Sequence, residues 1–219
     1  MTYTGHVIPG GPTDIRRLER ATIRKMSVSE MHNNVYLVTC AATGEQLLID
    51  AADDPHRCLL LVREGTGRLD HLVTTHQHWD HVRALEEVAR STGATTYAGA
   101  DDADGLPVAP DVRLAQGDVV TVGELTLDVI HLRGHTPGSV ALSWADPDGG
   151  THLFTGDSLF PGGVGRTTNP ADFSSLIDDV EHKIFDRLPD DTWFYPGHGN
   201  DSTLGAERGS LAEWRARGW

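Results

Sequence analysis

The chain has 219 residues, a formal net charge of −14 and 38% hydrophobic residues, which suits one domain over residues 1–219 and leaves two full domains cramped. Its acidic balance repels nucleic-acid phosphates and so disfavours a DNA or RNA partner. No apolar run is long enough to cross a bilayer, and the opening MTYTGHVIPGGPTD lacks the basic-then-apolar pattern of a signal peptide, so a cytoplasmic protein with a small-molecule substrate and no membrane partner is expected, as monomer or homodimer.

Residues 1–20, with Gly10-Gly11-Pro12, read as an N-terminal extension or loop. ATIRKMSV (21–28), NNVYLVTC (33–40) and EQLLIDA (45–51) are rich in β-formers and read as strands. PHRCLLLVREG (55–65) reads as a helix with Asp53 or Asp54 as N-cap, Pro55 in its first turn and Gly65 past its end. DHLVTT (70–75) is a buried strand. VRALEEVARSTG (82–93) predicts a helix with apolar residues at 82, 85, 88 and 89, stopped by Gly93.

ATTYA (94–98) is a short strand. DVVTVGELTLDVIHL (118–132) predicts a hairpin turning at Gly123-Glu124. SVALSWA and THLFTG form a second strand pair across the turn-rich DPDGG. DFSSLIDDVEHKIFDRL (172–188) has helical apolar spacing. TWFYPG (192–197) is a strand, and LGAERGSLAEWRARGW (204–219) a final helix weakened by Gly209. Strands come in runs with helices between them, which favours two stacked sheets flanked by helices over a simple parallel sheet. Cys40 and Cys58 form no CxxC and read as buried free thiols.

One stretch stands apart. THQHWDH (75–81) puts three histidines and an aspartate at the end of a strand. Residues two apart in an extended chain point to one side, so His76 and His78 can reach one cation together. Asp80 and His81 lie where the chain turns and can aim elsewhere. One cation site needs a third protein ligand, and a second site needs at least one more. His135 in RGHTPGS, Asp157 in LFTGDSLF and His198 in WFYPGHGN each follow an apolar strand among glycines. A chain with twelve histidines clusters some by chance. The same context in four separate segments argues for a metal site instead. His6, His32, His56, His71, His131, His152 and His182 read as surface or packed side chains.

These motifs resemble those of the metallo-β-lactamase-fold hydrolases, and THQHWDH is similar to the glyoxalase II form of the signature. The likeness runs from about Thr22 through His198. It implies a four-layer αββα sandwich of mixed α/β class, with the site at one edge between the sheets. By that resemblance His76, His78 and His135 hold one divalent ion, Asp80, His81 and His198 hold a second, and Asp157 bridges them. The ions are zinc, with iron or manganese also suited to such ligands. Asp50, ending LLID, resembles a residue of the family behind a ligand histidine; a strand-end turn residue is the alternative.

Two such ions share a hydroxide that exists at neutral pH and attacks a carbonyl. Asp80 would be the catalytic side chain that orients it. β-Lactamases of this fold carry cysteine or serine where this chain has Asp157, and His78 departs from the HxExD pattern of redox-type relatives. Trp79, GDSLF and the later GRT favour a glyoxalase II-like thioester hydrolase. A mono-iron persulfide dioxygenase using His76, His135 and Asp157 is the alternative, a lactonase is a close cousin, and a binding module without activity fits worst. Long glyoxalase II enzymes carry a glutathione-binding helical domain where only 21 residues follow His198, so the resemblance does not carry glutathione specificity. Val82-Arg83-Ala84 replaces the small residues usual after the motif, which implies either a narrower pocket or Arg83 near its rim. Arg166, after the loop 162–165, is a candidate for a substrate carboxylate, beside a structural ion pair. Phe160 and Tyr195 are candidates for pocket lining, beside ordinary core packing.

Overall fold

Period-2 alternation in the β-rich runs sends apolar side chains to both faces of a strand, so these strands are covered on both sides. In the computed structural model, which describes residues 2–218, β1 (Asp14–Arg17), β2 (Ala21–Val28), β3 (Asn33–Cys40), β4 (Gln46–Ile49), β5 (His71–Thr74), β6 (Thr95–Gly99) and β7 (Val112–Leu114) form one sheet in chain order. β1 to β4 pair antiparallel and β4 to β7 parallel. Parallel neighbours need crossovers. These include α1 (Pro55–Glu64), between β4 and β5, and α2 (Leu85–Thr92), between β5 and β6.

The second sheet uses β8 (Val119–Val122), β9 (Leu125–His131), β10 (Val140–Asp146) and β11 (Gly150–Gly156), then β14 (Trp193–Pro196) and β15 (Ser202–Thr203), in the order β15-β14-β11-β10-β9-β8. Between β11 and β14 lie the small pair β12 (Leu159–Phe160) and β13 (Gly163–Val164), and then α3 (Pro170–Val180). The described chain finishes with α4 (Leu204–Glu207) and α5 (Leu211–Arg217).

Three apolar clusters fill the layers. Tyr36, Val38, Leu47 and Ile49 of the first sheet meet Leu127, Val129, Leu142 and Phe154 of the second. The opposite face of the first sheet, with Leu37 and Leu48, packs on Leu61 of α1 and Leu85 and Val88 of α2. The opposite face of the second, with Leu153 and Phe194, packs on Leu176, Ile177 and Val180 of α3 and Trp214 of α5. The αββα expectation follows directly. Cys40 and Cys58 are free and lie in different clusters, on opposite faces of the first sheet.

Several expectations hold in detail. The β8–β9 hairpin turns through Gly123-Glu124, with Val122 opposite Leu125, and Gly123 takes φ +59°. Asp54 caps α1 by accepting from Arg57 N at 3.1 Å. Others are corrected. The described part of the N-terminal segment, residues 2–20, is not a free extension: β1 pairs with β2, and the buried Lys25 ammonium donates to the Gly5 carbonyl at 2.7 Å and to Asp201 at 2.6 Å. α2 begins at Leu85 rather than Val82, because Trp79–His81 forms a separate tight turn. The 172–188 helix ends its α-form at Val180 and continues as a π-turn over Glu181–Phe185. The final helix breaks at Arg208–Ser210, around Gly209. β7, β15, β12 and β13 are too short for a periodic signal. No helix of the described residues is long and apolar enough to cross a membrane.

Candidate metal centre

β4 and β5 run parallel in one sheet, and β11 and β14 run parallel in the other, so the ends of these strands deliver their following residues to shared edges. The two edges are tied together there by backbone hydrogen bonds. Val140 N donates to Thr75 O at 2.9 Å, and Asn34 N donates to Gly197 O at 2.7 Å. Past β5 the chain stays extended through His78, at φ −62° and ψ 138°. The Trp79–His81 turn then swings Asp80 and His81 to the other side, as the spacing suggested. His135 sits in the β9–β10 turn, Asp157 follows β11, and His198 follows β14.

Glycine sets the closeness of this assembly at two points. A Cβ on Gly197 would lie 2.1 Å from Asp157 Oδ1 and 2.8 Å from His81 Cε1, and one on Gly134 would lie 2.3 Å from the Asp172 carbonyl. Only a bare backbone lets the His198 segment lie against Asp157, and the His135 turn against α3.

All seven predicted residues converge. The donor atoms of His76, His78 and His135 lie within 4.8 Å of one another, as do those of Asp80, His81 and His198. Asp157 reaches both groups: its Oδ2 is 3.6 Å from His135 Nε2 and 3.3 Å from His198 Nε2, and its Oδ1 is 3.3 Å from His81 Nε2. The neighbours fix the ring hydrogens. His135 Nδ1 donates to the Arg166 carbonyl at 2.7 Å and His198 Nδ1 to the Met31 carbonyl at 2.8 Å. His81 Nδ1 donates to Asp50 Oδ2 at 2.9 Å. Thr75 Oγ1 donates to Asp50 Oδ2 at 2.7 Å, which leaves its lone pair for His76 Nδ1 at 3.0 Å. Carbonyls and carboxylates only accept, so each Nδ1 carries the hydrogen and each Nε2 offers a lone pair to the centre. Asp50 thus stands behind one of the candidate ligand histidines, His81.

That arrangement is costly without a cation. His76 Nε2, His135 Nε2 and Asp157 Oδ1 are buried with no hydrogen-bond partner. The Nε2 atoms of His81 and His198 face each other at 3.1 Å. An unpartnered buried polar atom costs roughly 1–3 kcal/mol. The donor set of imidazole nitrogens and carboxylate oxygens fits divalent transition ions. The electrostatics agree. Burial, with the neighbouring His81, holds His76 well below the usual histidine range, and burial lowers His135 as well. Burial opposes charge on His81 and His198 too, but Asp157 prevails at both, joined by Asp50 at the first and Asp80 at the second. His81 is held well above its ordinary value and His198 is raised to about 9. A proton there takes the place a cation would fill. Burial also opposes charge on Asp157, yet the imidazoles of His81, His198 and His76 hold it well below the carboxylate range.

The substrate candidates separate. Phe160 lies beside the centre, its ring 6.3 Å from that of His198. Arg166 is exposed, its carbonyl holds His135, and it borders a groove of about 450 Å3 that continues along Thr167, Thr168 and Asn169. Tyr195 is corrected: it is fully buried in the inter-sheet core, stacked on Phe154, and its hydroxyl bonds His152 at 2.8 Å. In β14 the pleat turns its side chain to the inter-sheet face. Trp79 is 58% exposed, with the Arg83 guanidinium stacked 3.9 Å above its ring and held by Asp53 at 2.8 Å. Arg83 therefore belongs to a surface stack beside the motif. The sequence reading missed Asn33, whose Nδ2 donates to Asp80 Oδ2 at 2.9 Å, and Asp102, a buried carboxylate behind the His76–His78 segment. A paired Asn-Asn opening an apolar strand was a usable signal for the first. Nothing in AGADDADG distinguishes Asp102 from Asp101 or Asp104.

The sequence model of the metallo-beta-lactamase superfamily matches residues 28–198. A hydroxyacylglutathione hydrolase of Cereibacter sphaeroides is 36% identical over 169 residues, 76% of this chain and 62% of that protein, so this chain spans less than two thirds of that relative's length. Among solved structures, ETHE1 from Myxococcus xanthus is 30% identical with a TM-score of 0.78, covering 89% of this chain and 84% of that one. TTHA1623 in a di-iron-bound form is 32% identical with a TM-score of 0.69, covering 84% of this chain and 96% of that one. With the match running from the end of β2 to the last of the seven converging residues, on a fold of two stacked sheets, this chain belongs to the metallo-beta-lactamase superfamily.

Proposed function

We propose that the chain is a metal-dependent hydrolase of thioesters, holding two divalent ions, zinc foremost with iron or manganese as alternatives. His76, His78 and His135 would hold one ion, Asp80, His81 and His198 the other, and Asp157 both. The observation that carries this reading is the inward-facing set of Nε2 atoms: those of His76 and His135 are buried with no hydrogen-bond partner, and those of His81 and His198 face each other beside the Asp80 and Asp157 carboxylates. Such ions would supply a water made acidic enough to ionise at about pH 7 and a Lewis acid for a carbonyl oxygen.

The protein's own groups do the rest. The acceptors behind these imidazoles hold a hydrogen on Nδ1 and so turn Nε2 toward the centre. Asp80 is held by Asn33 with its Oδ2 3.4 Å from His198 Nε2, a position from which it orients the attacking oxygen and receives its proton. Phe160 shelters one side of the centre. The exposed Arg166 guanidinium offers a fork for a carboxylate on the thiol carrier. The resemblance to hydroxyacylglutathione hydrolases supports a thioester, and the carboxylate at position 157 supports it over a β-lactam.

The test is metal quantification on purified protein joined to assays with lactoyl thioesters, a lactone, a glutathione persulfide and a β-lactam. We expect two ions per chain and thioester cleavage that falls by roughly 100–1,000-fold in His135→Ala, as for loss of a group central to the reaction. Undiminished turnover in that variant contradicts the assignment. A mono-iron persulfide dioxygenase is the second reading. It is favoured by one detail: the buried atoms without hydrogen bonds include His76 Nε2, His135 Nε2 and Asp157 Oδ1, the set of two histidines and one carboxylate that suits non-haem iron. One iron per chain and oxygen uptake with the persulfide would select it.

A further inference from the structure

Each group of candidate ligands is braced by a buried side chain that is not itself a member. Asp102 is fully buried. Its Oδ2 accepts from Gln77 N at 3.0 Å and Thr136 Oγ1 at 2.5 Å, and its Oδ1 accepts from Gly138 N at 2.7 Å. Gln77 lies between His76 and His78, and Thr136 follows His135. One carboxylate therefore joins the two segments that carry the first group. The contact is close: a Cβ on Gly138 would lie 2.3 Å from Asp102 N.

Asn33 is also fully buried. Its Nδ2 donates to Asp80 Oδ2 at 2.9 Å and lies 3.5 Å from Nε2 of both His81 and His198. Its Oδ1 accepts from Ser29 Oγ at 2.5 Å. Ser29 Oγ in turn accepts from Met31 N at 3.0 Å, and the Met31 carbonyl holds His198. Ser29 and His32 keep positive φ, 61° and 58°, without being glycine. Such backbone is strained and persists where surrounding contacts over-determine it. The β2–β3 turn is thus a strained support shaped to the second group. Among the described residues, the side-chain hydrogen bonds of Asp102 reach only the segments of the first group, and those of Asn33 reach only Ser29 and the second.

We propose that Asp102 and Asn33 are positioning residues that set cation affinity in the two groups separately, Asp102 for His76–His78–His135 and Asn33 for Asp80–His81–His198. The inference rests on the two-ion reading above. Groups behind metal ligands typically change affinity by roughly 10–100-fold.

The test titrates metal-free protein with zinc alone, reading stepwise binding constants by competition with a chromophoric chelator. His135→Ala and His198→Ala identify which step belongs to which group. We expect Asn33→Leu, which keeps the shape and removes the amide, to weaken the His198 step by roughly 10–100-fold while leaving the other within about twofold. Asp102→Asn weakens the His135 step in the same range, since its amide faces donors. Ser29→Ala and Thr136→Val act on the same respective steps with smaller loss, and they carry the test if either primary variant fails to fold. A purely structural role would lower the melting temperature and weaken both steps alike. That result, or two unchanged steps, overturns the inference alone. A wild-type chain that takes fewer than two zinc ions overturns the two-ion reading, and the inference with it.

Discussion

Four imidazoles turn the same nitrogen inward because four different neighbours accept from the other one. Asp50 shows how much one residue organises. Its carboxylate accepts from Thr75 N at 2.7 Å, from Thr75 Oγ1 at 2.7 Å and from His81 Nδ1 at 2.9 Å. It does so from a left-handed backbone at φ +59°. Asparagine tolerates that backbone but has one acceptor oxygen and a donating amide. Asp50→Asn is therefore expected to fold and to leave either His81 Nδ1 or Thr75 without an acceptor. Zinc affinity and hydrolysis should both fall by roughly 10–100-fold. Unchanged affinity would remove Asp50 from its place behind His81.

At the scale of elements, the turn carrying His135 is anchored to α3 through Arg133. Asp179 accepts from Arg133 N at 3.0 Å and from the Arg133 guanidinium at 2.9 and 2.8 Å, with Lys183 Nζ at 3.1 Å. Burial works against the Asp179 charge, but the Arg133 and Lys183 bonds prevail and lower it to about 2. A carboxylate depressed on folding stabilises the protein above its unfolded value near 4, and that contribution disappears as the pH falls toward 2. The depression corresponds to about 2 kcal/mol. Asp179→Asn should lose about that much at pH 7, read from urea unfolding, and the gap to wild type should narrow at pH 3. A gap that stays constant with pH would show that the ion pair contributes nothing to folding.

At the scale of the whole molecule, the candidate ligands come from both sheets, at the edge where backbone bonds already join the sheets. A cation held there binds the folded chain and not the unfolded one, so it stabilises by mass action. At a free concentration one hundred times its dissociation constant, each ion adds about 2.7 kcal/mol. For a chain of this length one kcal/mol moves the midpoint by about 2–4 °C. Chelation should therefore lower the melting temperature by about 5–10 °C per ion, and added zinc should restore it. A melting temperature indifferent to chelator would count against any bound ion.

The amino-acid sequence determined the seven convergent residues and the strand–turn context of each, because ligand chemistry is local: an HxH on an extended chain, a glycine beside a loop histidine. It also determined the four layers, since strands apolar on both faces require cover on both sides. Tertiary structure alone decided what stands behind the ligands. Asn33, Met31 and Asp102 act through side-chain amide, backbone carbonyl and buried carboxylate from segments distant along the chain, and no periodicity marks such contacts. The same holds for Tyr195, whose neighbours in sequence suggested a pocket wall while the pleat of β14 turned it into the core. Residues 14–17 behave alike: four residues are too few to show alternation, and only the exposed edge of β2 made them a strand.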